Sequence, residues 1–320
     1  MKGVIFMKKS IIGMIFATAS ICSLAGCNET KPSSTGKKFP LDQREGYQEK
    51  FDGFYSEVHR VKNTTDSNSI YGRLFKPDDF SPDKEYPVLI MSHGYNSSGE
   101  SGTNALVKNI LSHGMLCYTY DFCGGSNVSK SEGKTTEMSV LTEITDLESV
   151  LADIKEMQFI DDKKIALFGQ SFGGLVTSLT APKHLNDIAG VILQAPALTM
   201  SSPYQSEEEI PEVTENQFMK VGKKFYKDLM TIDVSTEISK WNKDIMIYVG
   251  TEDSFHEGVV EKSRSYTAEQ KFHFAEDTET VWMEEGVHIV KDAPHSFQKE
   301  DFAKIMPEIN AYLQHLDFFD

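Results

Sequence analysis

The amino-acid sequence predicts an α/β fold with a mainly parallel central sheet and helices on both faces. Short, densely apolar runs ending in turn residues recur along the chain, as strands buried on both faces do. Between them lie segments of helical periodicity, and parallel neighbours need such crossovers. Composition agrees: 320 residues, 39% hydrophobic and 25% charged, suffice for one large globular domain and show no fibrous or disordered bias.

Taken in order, the chain opens with a segment foreign to that domain. Lys8 and Lys9 precede an apolar stretch from Ile11 to Leu24, which has the length of a signal-peptide core and is too short to cross a bilayer comfortably. Its end, Leu24-Ala25-Gly26-Cys27, resembles the lipobox of bacterial lipoproteins, in which cleavage makes a lipidated cysteine the first residue. Residues 1–26 are therefore expected to be a lipoprotein signal peptide, with Met7 as a second candidate start. Residues 27–50 are expected to be the lipidated cysteine and a flexible tether, led by the polar stretch from Asn28 to Pro40. Residues 51–320 form the expected globular domain, held outside the cytoplasmic membrane by its lipid anchor.

The chain carries 32 Lys and Arg against 48 Asp and Glu, a net charge of −16. Cleavage before Cys27 removes three lysines and no acid, taking the charge to −19. Such a domain repels nucleic acid and other polyanions, so neutral small molecules or uncharged polysaccharide surfaces are the fitting partners. Oligomeric state is not legible. Of four cysteines, Cys22 lies in the signal and Cys27 in the lipobox. Cys117 and Cys123 would stand about 20 Å apart along an extended segment, too far for a disulfide, and two free thiols are expected. No Cys or His spacing suggests a metal site.

"GFYSEVHRV" and "SIYGRLFKP" alternate apolar and polar residues, as an antiparallel pair at a sheet edge would. "YPVLIMSHG" and "MLCYTYDFCGG" read as buried parallel strands, with Thr103–Ser112 as the crossover. In residues 139–158, Leu141, Ile144, Leu147, Leu151, Ile154 and Met157 fall on one helical face. "KIALFG", "GGLVTSL", "AGVILQAP", "DIMIYVG" and "EGVHIVKDAPH" then read as strand, helix, strand, strand and strand. Residues 197–243 contain no core strand but include the helix-like "QFMKVGKKFYKDLM"; an insertion of this length suggests a small lid over the strands' carboxyl ends.

The chemistry centres on "FGQSFGG", a Gly-x-Ser-x-Gly pentad between an apolar strand and a helix. Gly169 and Gly173 leave room for a sharp turn that exposes Ser171 near a helix N-terminus. A serine hydroxyl needs a base, and the base an acid to orient it. In the order Ser, acid, His, the sequence offers Asp253 after the strand Ile245–Val249 and His295 after Val287–Val290. Glu252 is the rival acid; successive residues leaving a strand point in different directions, and Asp253 is favoured. Backbone N–H groups of Tyr95 and Phe172 are expected to bind the oxyanion, with His93 orienting the Tyr95 loop. His288 is expected to be structural. A Ser-His-Asp set requires neither metal nor organic cofactor.

From about residue 54 to 316 the motifs "HGY", "GQSFGG", "GTEDSF" and "APHSF" stand in the order of the α/β-hydrolases, which the chain resembles. "SHGYNSS", the glycine-rich turn after Asp121 and "LFGQSFGG" further resemble bacterial cinnamoyl or feruloyl esterases. That resemblance implies hydrolysis of hydroxycinnamoyl or other short acyl esters, with the lid contacting the acyl group. A serine peptidase or a lysophospholipase-like hydrolase is the alternative enzyme, and a non-catalytic ligand-binding lipoprotein the alternative of another class.

Overall fold

In the computed structural model, which describes residues 39–100, 104–272 and 277–319, the sheet has ten strands and a hairpin stands apart from it. The segment expected to be a signal peptide, Cys27 and the first part of the expected tether lie outside the described residues. In chain order the elements are β1 (Gln48–Lys50), β2 (Phe54–Lys62), β3 (Ser69–Pro77), β4 (Tyr86–Ser92), α1 (Asn104–Ser112), β5 (Leu116–Tyr120), α2 (Val140–Lys155), β6 (Ile160–Gln170), α3 (Ser171–Thr180) and β7 (Gly190–Gln194). There follow β8 (Val213–Asn216), β9 (Met219–Gly222), α4 (Lys223–Leu229), α5 (Val234–Ile238), β10 (Ile245–Gly250), α6 (His256–Ser263), β11 (Val281–Glu284), β12 (Val287–Val290) and α7 (Lys299–His315).

The sheet runs β1-β2-β3-β5-β4-β6-β7-β10-β12-β11. Its six strands from β5 to β12 are mutually parallel, and antiparallel strands flank them on both sides. Alternation along each strand sorts side chains into two cores. In β4, Val88 and Ile90 face α2 and α3, while Leu89 and Met91 face α1 and α7. The expected α/β-hydrolase fold is the observed one. Cys117 and Cys123 are both buried free thiols, and burial raises both thiol pKa values.

Four local expectations need correction. The folded unit begins at Phe39 rather than residue 51: β1 pairs with β2, and the Arg60 guanidinium lies 3.6 Å from the centre of the Phe39 ring. In α2 the buried stripe starts at Val140, not Leu141, which is exposed; Val140 stands four residues before Ile144 and seven before Leu147, nearer to one line on the helix. The same helix ends at Lys155, short of Met157. Residues 217–222 are not helical. Met219–Gly222 pairs with Val213–Asn216, and the helix starts only at Lys223, because extended Gly222 abuts Thr136 O, where an added Cβ would lie 2.0 Å away.

The amino-terminal segment is fastened to the main body through His59. One ring nitrogen bonds Glu45, whose carboxylate also accepts the Arg60 amide, and the other bonds Asp153 of α2. Burial opposes protonation of this imidazole, but the hydrogen bonds and charges of Asp153 and Glu45 outweigh it and push the pKa up to about 9. A pKa raised on folding contributes stability that is complete below the unfolded value near 6.5 and lost as pH rises through 9. In urea titrations, His59→Ala is therefore expected to cost about 1 kcal/mol at pH 6, an amount kept small because Glu45 is exposed to water. The gap to wild type should close above pH 9; a gap independent of pH would show that packing alone is lost.

Candidate active site

Ser171 is the first residue of α3, immediately after β6, and its φ of 51° is left-handed. Two glycines make room for that turn. A Cβ at Gly169 would lie 2.5 Å from Thr177 Oγ1, and one at Gly173 would lie 2.3 Å from His93 O. The carbonyl of Ser171 accepts the amide of Ala197 at 2.8 Å, which ties the turn to the chain leaving β7.

The loops after β10 and β12 bring the other two residues to Ser171. They are held together because Gly250 lacks a side chain where Ala293 O passes, and because Glu252 N donates to that same carbonyl at 3.0 Å. His295 Nε2 lies 2.9 Å from Ser171 Oγ, and His295 Nδ1 lies 2.7 Å from Asp253 Oδ2. Asp253 is buried, and its other oxygen accepts the Phe255 amide at 2.9 Å. Glu252 is exposed and takes no part. A buried carboxylate, an imidazole and a hydroxyl in this sequence of contacts can raise the nucleophilicity of the hydroxyl.

Other histidines lie elsewhere. His288 is buried in β12 with Nδ1 3.2 Å from Ile247 O, His256 faces Glu284, His184 faces Glu148, His315 faces Asp244, and His113 stacks on Phe319. His273 lies outside the described residues. His93 is buried beside the site: Phe122 N donates to its Nε2 at 3.1 Å, so Nδ1 carries the proton and donates to Gly94 O at 2.7 Å. Burial lowers its pKa against the pull of Asp121, which keeps the ring neutral. This neutral ring braces the loop that carries Tyr95.

That loop runs against Ser171, since a Cβ at Gly94 would lie 3.3 Å from Ser171 Cβ. Tyr95 and Phe172 both border a cavity of about 340 Å³ that also contains Ser171 and His295. The β8–β9 hairpin borders it with Asn216 and Gln217, and the chain after β7 adds Ala195 and Met200. Among the described residues lining it there is no Asp, Glu, Lys or Arg. Sequence reasoning missed Phe255, whose ring stands edge-on to His295 at 5.6 Å, and Ala195, left-handed at φ 43°. Phe255 sits in the "TEDSF" motif that marks Asp253, so its position was readable; nothing in the sequence marks Ala195.

A parallel sheet of this order, with a serine on the strand-to-helix turn and a histidine and an aspartate on later strand ends, defines an α/β-hydrolase. The chain belongs to the Hydrolase_4 family, described as serine aminopeptidase, S33, which matches residues 83–248. It is 28% identical over 151 residues to the polyketide transferase grgF of a Penicillium species, covering 47% of this chain and 48% of that protein. It is 25% identical over 134 residues to the quorum-quenching protein AidA of Acinetobacter baumannii, covering 41% and 42%. The chain thus spans about half the length of the curated relatives it matches. Among solved structures, the ferulic acid complex of Est1E from Butyrivibrio proteoclasticus superposes with a TM-score of 0.64 at 20% identity, over 79% of this chain and 99% of that one. Structural likeness at that identity speaks for the fold.

The glycine contacts make a direct prediction. Gly173→Ala drives a methyl group into the backbone carbonyls of Ser92 and His93 and should lower unfolding free energy in urea by about 1–3 kcal/mol. An unchanged midpoint would mean that α3 can slide away from β4 without strain.

Proposed function

We propose that this protein is a serine carboxylic-ester hydrolase for neutral substrates. The observation that carries the reading is the contact chain from Ser171 through His295 to buried Asp253, opening into an uncharged cavity. Ser171 Oγ attacks the ester carbonyl while His295 Nε2 takes its proton. The tetrahedral oxyanion is held by the backbone N–H groups of Tyr95 and Phe172. Asp253 keeps the His295 tautomer and stabilises the imidazolium. His295 then protonates the leaving alcohol, and water releases the acyl group by the same route in reverse.

The lining favours esters over the aminopeptidase substrates that the family's description suggests. A free α-amino group needs a carboxylate partner when removed from water, and none lines the cavity among the described residues. An aromatic or short acyl group fits about 340 Å³, and the likeness to a ferulic acid-binding protein makes hydroxycinnamoyl esters a natural first choice. A small-molecule or polysaccharide-linked ester is compatible with the acidic chain. In this reading Cys27 bears the lipid that tethers the enzyme outside the cytoplasmic membrane.

Hydrolysis of a panel of acetyl, long-chain and hydroxycinnamoyl esters tests the reading. Ser171→Ala should abolish it, and Asp253→Asn should lower kcat by about 10³–10⁴-fold, whereas Glu252→Gln should stay within about twofold of wild type. If Asp253→Asn were active and Glu252→Gln inert, the acid would be misassigned. Separately, in a lipoprotein-processing bacterium fed a tagged fatty acid, the wild type should take up the label and Cys27→Ser should not; an unlabelled wild type would remove the anchor.

A further inference from the structure

We propose that Phe225, on lid helix α4, is a positioning residue that sets the spacing of the two oxyanion-binding N–H groups; this rests on the ester-hydrolase reading above. Tyr95 lies on the loop after β4, and Phe172 in the first turn of α3. Their rings meet edge to face with centroids 5.9 Å apart, and Phe225 stands 5.7 Å from Tyr95 and 5.8 Å from Phe172. The three rings form a nearly equilateral triangle, with Phe225 and Phe172 fully buried. Aromatic rings in such contact prefer defined edge and offset geometries, so the triangle resists sliding of the Tyr95 loop past the start of α3.

The lid vertex of the triangle is itself fixed. Gly222, just before α4, lies against Thr136 O, and Asp228 near the far end of α4 accepts the hydroxyl of Ser139, the residue that caps α2. The Tyr95 loop grips the same lid from the other side. Tyr95 OH donates to Asn216 O at 3.3 Å and Asn96 Nδ2 to Gln217 O at 3.3 Å, while Asn127 Nδ2 donates to Phe218 O at 2.9 Å. Three consecutive carbonyls of the hairpin turn are held this way. Phe225 is not among the residues lining the cavity. It acts on a reacting ester only through Tyr95 and Phe172.

A group that positions oxyanion donors affects the transition state more than the bound ester, and its loss appears in kcat. The test uses the full chain with p-nitrophenyl acetate and methyl ferulate, comparing wild type with Phe225→Leu and with Phe225→Met, whose flexible unbranched side chain adapts to the space of the ring. Affinity for phenylboronic acid is measured beside them, because its serine adduct is tetrahedral and uses the same N–H groups. Loss of one oxyanion donor costs about 10²–10³-fold, so a displaced pair should lower kcat about tenfold or more on both esters. KM should stay within about twofold, and boronate affinity should fall in parallel. If kcat on the acetate is kept while KM for the ferulate rises, the lid only contacts the acyl group and the inference is overturned. It is equally overturned if kcat falls with boronate affinity unchanged. Should Phe225→Leu fail to fold, Phe225→Met decides by the same readings. A wild type that cleaves no ester removes the hydrolase reading and this inference with it, whereas an active wild type with unaffected variants removes this inference alone.

Discussion

The left-handed backbone at Ser171 is the constraint on which the rest of the structure depends. A non-glycine residue in that region costs about 1–2 kcal/mol, and such strain persists only where the surroundings over-determine it. Here three neighbours do so. Strand β6 is locked in register between β4 and β7, with Gly169 opposite Ser92 on one side and Gln170 opposite Gln194 on the other. Helix α3 presses Gly173 onto the carbonyls of Ser92 and His93, and Ala197 N closes the third side. These contacts present the hydroxyl of Ser171 toward His295, 2.9 Å from its Nε2.

How much of this was legible depends on where the physical signal sits. The elbow was readable because strain needs glycine at defined offsets, and Gly169 and Gly173 stand there. Asp253 and His295 were readable because the ends of parallel strands gather at one edge, so two short motifs after two apolar runs had to meet. Helix α7 was not anticipated: Pro307 in its interior is a local breaking signal, and the packing of Phe302, Ile305 and Ile309 on the sheet overrides it. Strand β11 was hidden for a different reason, being four residues long at an edge. The sequence misled at 217–222, where helix-forming residues pair as a hairpin because long-range contact with Thr136 and the Tyr95 loop outweighs local preference.

Charge is divided within the molecule. The chain is strongly acidic, and the lid contributes the exposed run Glu207, Glu208 and Glu209. The cavity lining carries no side-chain carboxylate among the described residues. An acidic exterior around an uncharged interior disfavours anionic ligands during approach and leaves recognition inside to shape and hydrogen bonding. The Asp253 carboxylate, paired with His295, is then the charge beside Ser171, and among the described residues no Lys or Arg lines the cavity.

The hairpin turn over the cavity has both central residues, Gln217 and Phe218, in left-handed conformations, at φ 45° and 64°, a geometry that asparagine and glycine adopt with less strain. What the loops below it grasp, however, is carbonyl oxygen, which every amino acid supplies. Side-chain identity at 217 and 218 is thereby uncoupled from the latch, and Phe218 projects into solvent with 90% of its surface exposed. The tip is a natural site for diversification: a combinatorial library at those two codons would vary the chemistry greeting an incoming molecule while the clasp beneath it stays in place.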